Sequence, residues 1–145
     1  MPSLDECQLA QANDAKSLGD SLGITQDEIQ SIIRRFYEKV QYDSSLGPVF
    51  AREISNDWNH HLETMGIFWA SVMFGKSLYV GNPIEIHRRI AGLSTSHFDH
   101  WLELFRDTLI EVCPNNEHVG AFYNRACSMA KVMKTTLLLK KKTPE

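Results

Sequence analysis

Residues 29–40 read IQSIIRRFYEKV, and this stretch decides the fold class. Its apolar side chains fall at positions 29, 32, 33, 36, 37 and 40, which share one face of a helix. Thr25 and Glu28 precede the run with the spacing of a capping box. Turn formers follow it at Ser44, Ser45, Gly47 and Pro48. The pattern predicts a long amphipathic helix that ends before Asp43.

The same spacing predicts further helices, whose ends follow from capping and breaking residues. One predicted helix begins at Asn56 or Asp57 and ends at Gly75, and a short one begins at Asn82-Pro83 and ends near Gly92. The next begins at Ser94 or Ser96 and ends before Pro114, and the last begins after Asn115-Asn116. No segment alternates like a strand, so we predict an all-α domain with four substantial helices and one short one. The first 20 residues predict at most a loosely docked short helix. The helices could pack as a simple bundle or close around a flat apolar ligand, and periodicity leaves both open.

Composition narrows the class of protein. The 145 residues fit one domain, and 43% apolar with 23% charged residues is typical of a globular chain. A net charge of −3 argues against nucleic acid as a partner, and no apolar run approaches the roughly 18 residues of a membrane helix. The three cysteines, Cys7, Cys113 and Cys127, form no CxxC pair. Together with an acidic N-terminal stretch, this favours the reducing cytoplasm.

The sequence lacks the motifs of several common classes of enzyme and metal site. The glycines form neither a dinucleotide nor a P-loop fingerprint, and HExxH is absent. No glutamate has a histidine three residues on, which excludes the usual di-iron bundle. The Lys140-Lys141-Lys142 run reads as a solvated end rather than a membrane anchor.

Three histidines are placed by helical geometry. His61 falls on the apolar face of its helix, where it is either a core-edge histidine or part of a ligand pocket, whereas the neighbouring His60 points to the surface. His87 lies among isoleucines on the short helix. It is either structural or an iron ligand, because such a ligand also needs an apolar shell and a rigid short element.

The remaining histidines carry weaker signals. His97 and His100 have HxxH spacing, for which we expect surface placement over a zinc pair, and His118 has no visible partner. Tyr37 and Trp101 lie on apolar stripes with one polar tip each. The tyrosine hydroxyl and the indole N–H either make incidental hydrogen bonds in the core or both point at one ligand atom.

Four motifs in order resemble the group III branch of the truncated haemoglobins. They are FYEKV at 36–40 with DxxLGPVF at 43–50, WxxH at 58–61 with Phe68-Trp69, YVGNPIxxH at 79–87, and HFxxWLxLF at 97–105. Each motif alone is weak, but their order and spacing are specific. The resemblance runs from about residue 24 to about residue 131.

The resemblance implies a fold, a cofactor and a site. The fold would be a two-on-two α-helical sandwich around haem b, with the globin domain at 24–139, an N-terminal extension at 1–23 and a basic tail at 140–145. His87 matches the family's proximal iron ligand, and Tyr37, His61 and Trp101 match the distal positions that face bound gas. The residues expected to contact the cofactor are His87, Trp101, Phe50, Met65, Phe68 and Tyr79. Candidates for the propionates are Arg52, Arg88, Arg89 and Tyr79.

The resemblance also implies reversible binding of diatomic gases, namely oxygen, CO and NO. Donors at Tyr37 and Trp101 would favour ligand retention and redox or NO chemistry over bulk transport. One alternative is a cofactor-free helical interaction module with the aromatic stripes as its core. The other is a haem-dependent peroxidase-like enzyme or NO dioxygenase, which would need a partner reductase because the chain has no flavin or nicotinamide motif.

Overall fold

The computed structural model describes residues 17–55 and 57–142, with side chains described as far as Leu139. Its helices are α1 (Leu18–Leu22), α2 (Gln26–Tyr42), α3 (Leu46–Ile54), α4 (Trp58–Phe74), α5 (Pro83–Arg88), α6 (Thr95–Val112) and α7 (Asn116–Lys142). The predicted all-α class is confirmed. The predictions for residues 1–16, for a cap at Asn56, for Cys7 and for residues 143–145 lie outside the described residues.

Two helix pairs enclose the core. Helix α2 packs against α4, α6 packs against α7, and α2 also contacts α6, which joins the two pairs. The short α1 contacts α4 and α7, and Leu18 and Leu22 pack against the core. The most deeply buried large side chains are Phe36, Phe105, Phe122, Ile29, Ile32, Leu46, Met73 and Leu109. Among the described helices, none is both long and apolar enough to cross a membrane.

The helix ends follow the capping residues that the sequence indicated. The Thr25 hydroxyl accepts the Glu28 N–H at 3.1 Å, and Asp57 and Asn82 cap α4 and α5 in the same way. Gly75 ends α4 with a φ of 64°, the left-handed conformation that glycine adopts without strain. Local chemistry therefore determines where these helices begin and end.

Helix α3 corrects the sequence analysis, which read the segment after Asp43 as a turn and counted fewer helices. The Asp43 carboxylate accepts the N–H groups of Ser45 at 2.9 Å and Leu46 at 2.8 Å, and this starts a helix. Pro48 lies in its first turn, where a missing N–H costs nothing. A Cβ at Gly47 would lie 2.9 Å from the Gln41 carbonyl oxygen, so glycine allows α3 to start this close to the end of α2.

His118 is a second correction, because the sequence showed no partner for it. It is 5% exposed, and its Nδ1 contacts the Glu28 carboxylate at 2.7 Å while its Nε2 contacts the Leu22 carbonyl at 2.7 Å. Both acceptors need a proton, so the ring is an imidazolium. Burial opposes this charge, but the hydrogen bonds to Glu28 and Leu22 prevail and raise the pKa of His118. The Glu28 side chain thus links α2 to α7 instead of completing the predicted capping box.

Replacing His118 with leucine should lower the free energy of unfolding by about 3 kcal/mol, because it leaves a buried carboxylate without its charged partner. The pair contributes fully below the unfolded histidine pKa of about 6.5. Its contribution is lost as the pH rises through the higher folded pKa. The difference between wild type and His118→Leu, measured by urea unfolding, should therefore be larger at pH 6 than at pH 9.

Lys134→Ala is the matched control. Lys134 pairs with Asp99 at 2.7 Å, but the Asp99 side chain is 63% exposed, so its loss should cost at most about 1 kcal/mol. A His118→Leu penalty that is equal at both pH values would contradict the assignment of a buried imidazolium.

Candidate functional site

The helices enclose a cavity of about 370 Å³, a volume within the range of ligand pockets. Its wall is mainly apolar and is built from α2, α3, α4, α5, α6 and α7. The structure brings to this wall every residue that was expected to contact the cofactor or a bound gas: Tyr37, Phe50, His61, Met65, Phe68, Tyr79, His87 and Trp101. They come from five helices and one loop, so only the folded chain unites them.

His87 is the residue that the cavity holds most specifically. It lies on the six-residue helix α5, which begins with an Asn82 cap followed by Pro83. Its Nδ1 lies 2.6 Å from the Pro83 carbonyl oxygen, and a carbonyl only accepts hydrogen bonds. The proton therefore resides on Nδ1, which leaves the Nε2 lone pair for a metal. The ring of Phe98 lies 5.9 Å from the imidazole and packs against it.

Tyr37 offers a neutral donor to the same cavity. It is 5% exposed, and burial raises the pKa of its phenol well above the usual range. Its ring contacts that of His61 edge to face at 4.7 Å and that of Phe50 at 5.7 Å. Among the described residues, its hydroxyl has no hydrogen-bond partner.

His61 carries an unsatisfied polar atom. Its Nε2 is buried and has no hydrogen-bond partner within residues 17–55 and 57–142. Burial lowers the pKa of His61 to about 4, so the ring is neutral at physiological pH. An orphaned buried nitrogen is costly, and such atoms are typical of ligand sites. His60 is exposed, as its place on the helix predicted.

Trp101 is held rigidly at the cavity wall. Its indole stacks on Phe105 at 5.1 Å with 14° between the planes, and it meets Phe36 edge to face at 5.4 Å. The indole N–H, which can only donate, has no partner in the part of the chain that the structure describes. Tyr37, His61 and Trp101 thus all line the cavity, and each carries a polar group without a partner among residues 17–55 and 57–142.

The segment that leads to α5 is anchored by a serine. Ser71 accepts the N–H groups of Leu78 at 3.2 Å and Tyr79 at 2.9 Å, while its hydroxyl donates to the Ile67 carbonyl. This places the Tyr79 ring 5.2 Å from that of Phe68, where both line the cavity.

Sequence reasoning misplaced His97. We expected it on the surface, but it is half-buried and lines the cavity, with its Nδ1 accepting the Ser94 N–H at 3.0 Å. His100 is partly exposed and contacts the Asp43 carboxylate at 2.6 Å. Within the described chain, no three metal-binding side chains cluster. The capping spacing between Ser94 and His97 was the signal that could have placed His97.

The arginines considered for the propionates already have partners. Arg52 donates to the Ala91 carbonyl at 2.6 Å, and Arg88 and Arg89 both pair with Glu85, at 3.5 and 3.2 Å. Of these three residues, only Arg89 lines the cavity.

Comparison with known proteins agrees with this arrangement. The family model for bacterial-like globins matches residues 17–135. A group 3 truncated haemoglobin, ctb, of Campylobacter jejuni is 33% identical over 110 residues, which are 74% of this chain and 86% of that protein. The crystal structure of the group III truncated haemoglobin from C. jejuni superposes with a TM-score of 0.74 at 33% identity, covering 79% of this chain and 91% of the other.

A second solved structure shares the fold. It is the 2/2 haemoglobin of Synechococcus sp. PCC 7002, in the cyanomet state and with covalently attached haem. It superposes with a TM-score of 0.69 at 21% identity, covering 84% of this chain and 98% of that chain.

A helical sandwich around an apolar cavity, with an imidazole whose Nε2 lone pair is available to a metal, is the arrangement of a globin. The chain belongs to the bacterial-like globin family, within the group III truncated haemoglobins, and is a haem-binding globin of two-on-two fold. The residues at the cavity fit that cofactor. His87 offers the Nε2 lone pair, and the orphaned His61 nitrogen and the apolar wall suit a flat apolar macrocycle with a small polar ligand.

Replacing His61 with leucine should raise the free energy of unfolding by about 1 kcal/mol in protein without added haem. The substitution removes a buried nitrogen that lacks a partner, and such an atom costs roughly 1–3 kcal/mol. Urea unfolding of both proteins provides the measurement.

His60→Leu is the control, because His60 is the exposed neighbour on the same helix and a surface change there should stay within about 0.5 kcal/mol. Destabilisation by His61→Leu would indicate that this nitrogen is satisfied in solution.

Proposed function

We propose that this protein is a haem b-binding truncated haemoglobin that reversibly binds oxygen, CO and NO and retains oxygen strongly. The observation that carries the proposal is the set of uncommitted donors at Tyr37, His61 and Trp101 in the cavity that also contains His87. Polar groups without partners in an apolar cavity are costly to keep, which favours a ligand that satisfies them.

In this proposal His87 holds the iron through Nε2, and Phe50, Met65, Phe68, Tyr79 and Trp101 contact the porphyrin. The haem iron supplies an open coordination position for a diatomic ligand. The hydrogen bond from Nδ1 of His87 to the Pro83 carbonyl fixes the ring and increases the electron density of Nε2. The apolar wall keeps water from the site.

The distal donors determine how long a ligand stays. Tyr37 is neutral because burial raises its pKa, so it keeps the O–H that it donates. His61 is also neutral and contributes one N–H, and Trp101 contributes another. In a dry pocket, each donor to a charged acceptor is worth roughly 1.5–3 kcal/mol. Slow release suits redox or NO chemistry better than bulk transport of oxygen.

Turnover as an NO dioxygenase or a peroxidase-like enzyme remains a second candidate. The polar distal set favours it, because donors that hold a diatomic can also polarise its bond. The chain contains no flavin or nicotinamide motif, so repeated turnover would take electrons from a partner reductase. The absence of a CxxC pair supports a reducing compartment, the cytoplasm, for this chemistry.

His87→Ala should abolish the intense Soret band of the purified protein, because the only proposed bond from the chain to iron is lost. The absorption spectrum in ferric, ferrous and carbonmonoxy forms is the measurement, and circular dichroism checks that the helices remain. His60→Ala is the control and should leave the spectrum unchanged. A colourless, well-folded wild type that ignores added haemin would instead support the cofactor-free interaction module.

Tyr37→Phe and Trp101→Phe should each increase the oxygen dissociation rate by roughly 10- to 100-fold, since each removes one donor. The ring volume is kept in the first variant, so a change there reports on the hydroxyl alone. Stopped-flow displacement of oxygen by CO provides the rate. Rates equal to that of the wild type would remove the argument for retention.

A further inference from the structure

His97 lies at the rim of the cavity with one uncommitted N–H. It occupies the first turn of α6, and its Nδ1 lies 3.0 Å from the Ser94 backbone nitrogen and 3.0 Å from the Ser94 hydroxyl. A backbone N–H only donates, so Nδ1 is the acceptor in this contact. The neutral ring then carries its proton on Nε2.

This Nε2–H has no hydrogen-bond partner among the described residues, although His97 is half-buried and lines the cavity. The neighbouring Phe98 packs against the ring of His87, so this end of α6 lies beside the residue proposed to bind iron. Arg89, the one arginine or lysine among the described residues that line the cavity, already pairs with Glu85 at 3.2 Å and is 78% exposed. His97 therefore offers an uncommitted N–H beside the residue proposed to bind iron.

We propose that His97 Nε2–H donates to a carboxylate of the bound porphyrin, one of the propionate side chains of haem b. The inference rests on the proposed haem binding and goes beyond it by assigning a carboxylate site. A carboxylate entering a mainly apolar cavity needs a donor at the point where it leaves water. The bond between Ser94 and Nδ1 fixes the ring orientation before the carboxylate arrives, which reduces the entropy lost on binding.

The role at the carboxylate can be separated from the role in helix capping by two variants. His97→Gln keeps both functions, because glutamine at this capping-box position accepts the N-cap N–H with its oxygen and can donate with its amide. His97→Glu keeps the cap through its carboxylate oxygen. It removes the donor, however, and places a negative charge at the rim.

The experiment measures the rate of haem loss to excess apomyoglobin for wild type and both variants, each loaded with haemin or with haemin dimethyl ester. With haemin, His97→Glu should lose haem roughly 10- to 100-fold faster than wild type, and His97→Gln should stay close to wild type. With the dimethyl ester, which has no free carboxylates, the His97→Glu effect should disappear.

Three results would overturn the inference or its basis. An equal acceleration with haemin and its ester would assign His97 to the fold alone. Unchanged rates in His97→Glu would show that no carboxylate contacts it. A wild type that retains neither porphyrin would contradict the proposed function itself, which distinguishes that failure from the other two.

Discussion

The His87 imidazole donates to the Pro83 carbonyl across 2.6 Å, and this hydrogen bond determines what the cavity can bind. The bond selects the tautomer with a free Nε2 lone pair. The ring makes it from the short helix α5, which holds the imidazole at the cavity wall. The Asn82 cap and the proline in the first position make such a helix start sharply. Without this bond the ring could rotate or exchange its proton, and the cavity would lose its defined metal ligand.

Buried polar groups in this protein fall into two kinds. Outside the cavity they are satisfied: Thr108 donates to the Leu104 carbonyl at 2.9 Å, and both nitrogens of His118 have acceptors. At the cavity, His61 Nε2 has none among the described residues. The satisfied polar groups therefore stabilise the packed helix pairs, whereas the unpartnered nitrogen at the cavity costs folding free energy. Such a local cost is common at sites that bind a ligand.

The sequence predicted the helices whose signals are local. Thr25, Asp57 and Asn82 each cap a helix within three residues, so their starts could be read directly. Helix α3 was missed because Gly47 and Pro48 indicate a turn unless the neighbouring helix is known. His118 was missed because its partners are 90 and 96 residues away. The helical period placed Tyr37 and His61 on inward faces, but whether their polar atoms have partners depends on the whole fold.

The contact between His118 and the Leu22 carbonyl has a consequence for any shortened version of this polypeptide. Leu22 is the last residue of α1, and its oxygen receives an imidazolium N–H from the final helix. A recombinant fragment that starts at Ile24 would retain every residue of the cavity wall. It would, however, lack the Leu22 carbonyl that accepts a hydrogen bond from the His118 imidazolium. Residues before Ile24 thus supply one of the two acceptors of this buried imidazolium, and an expression boundary upstream of Ser17 keeps that contact.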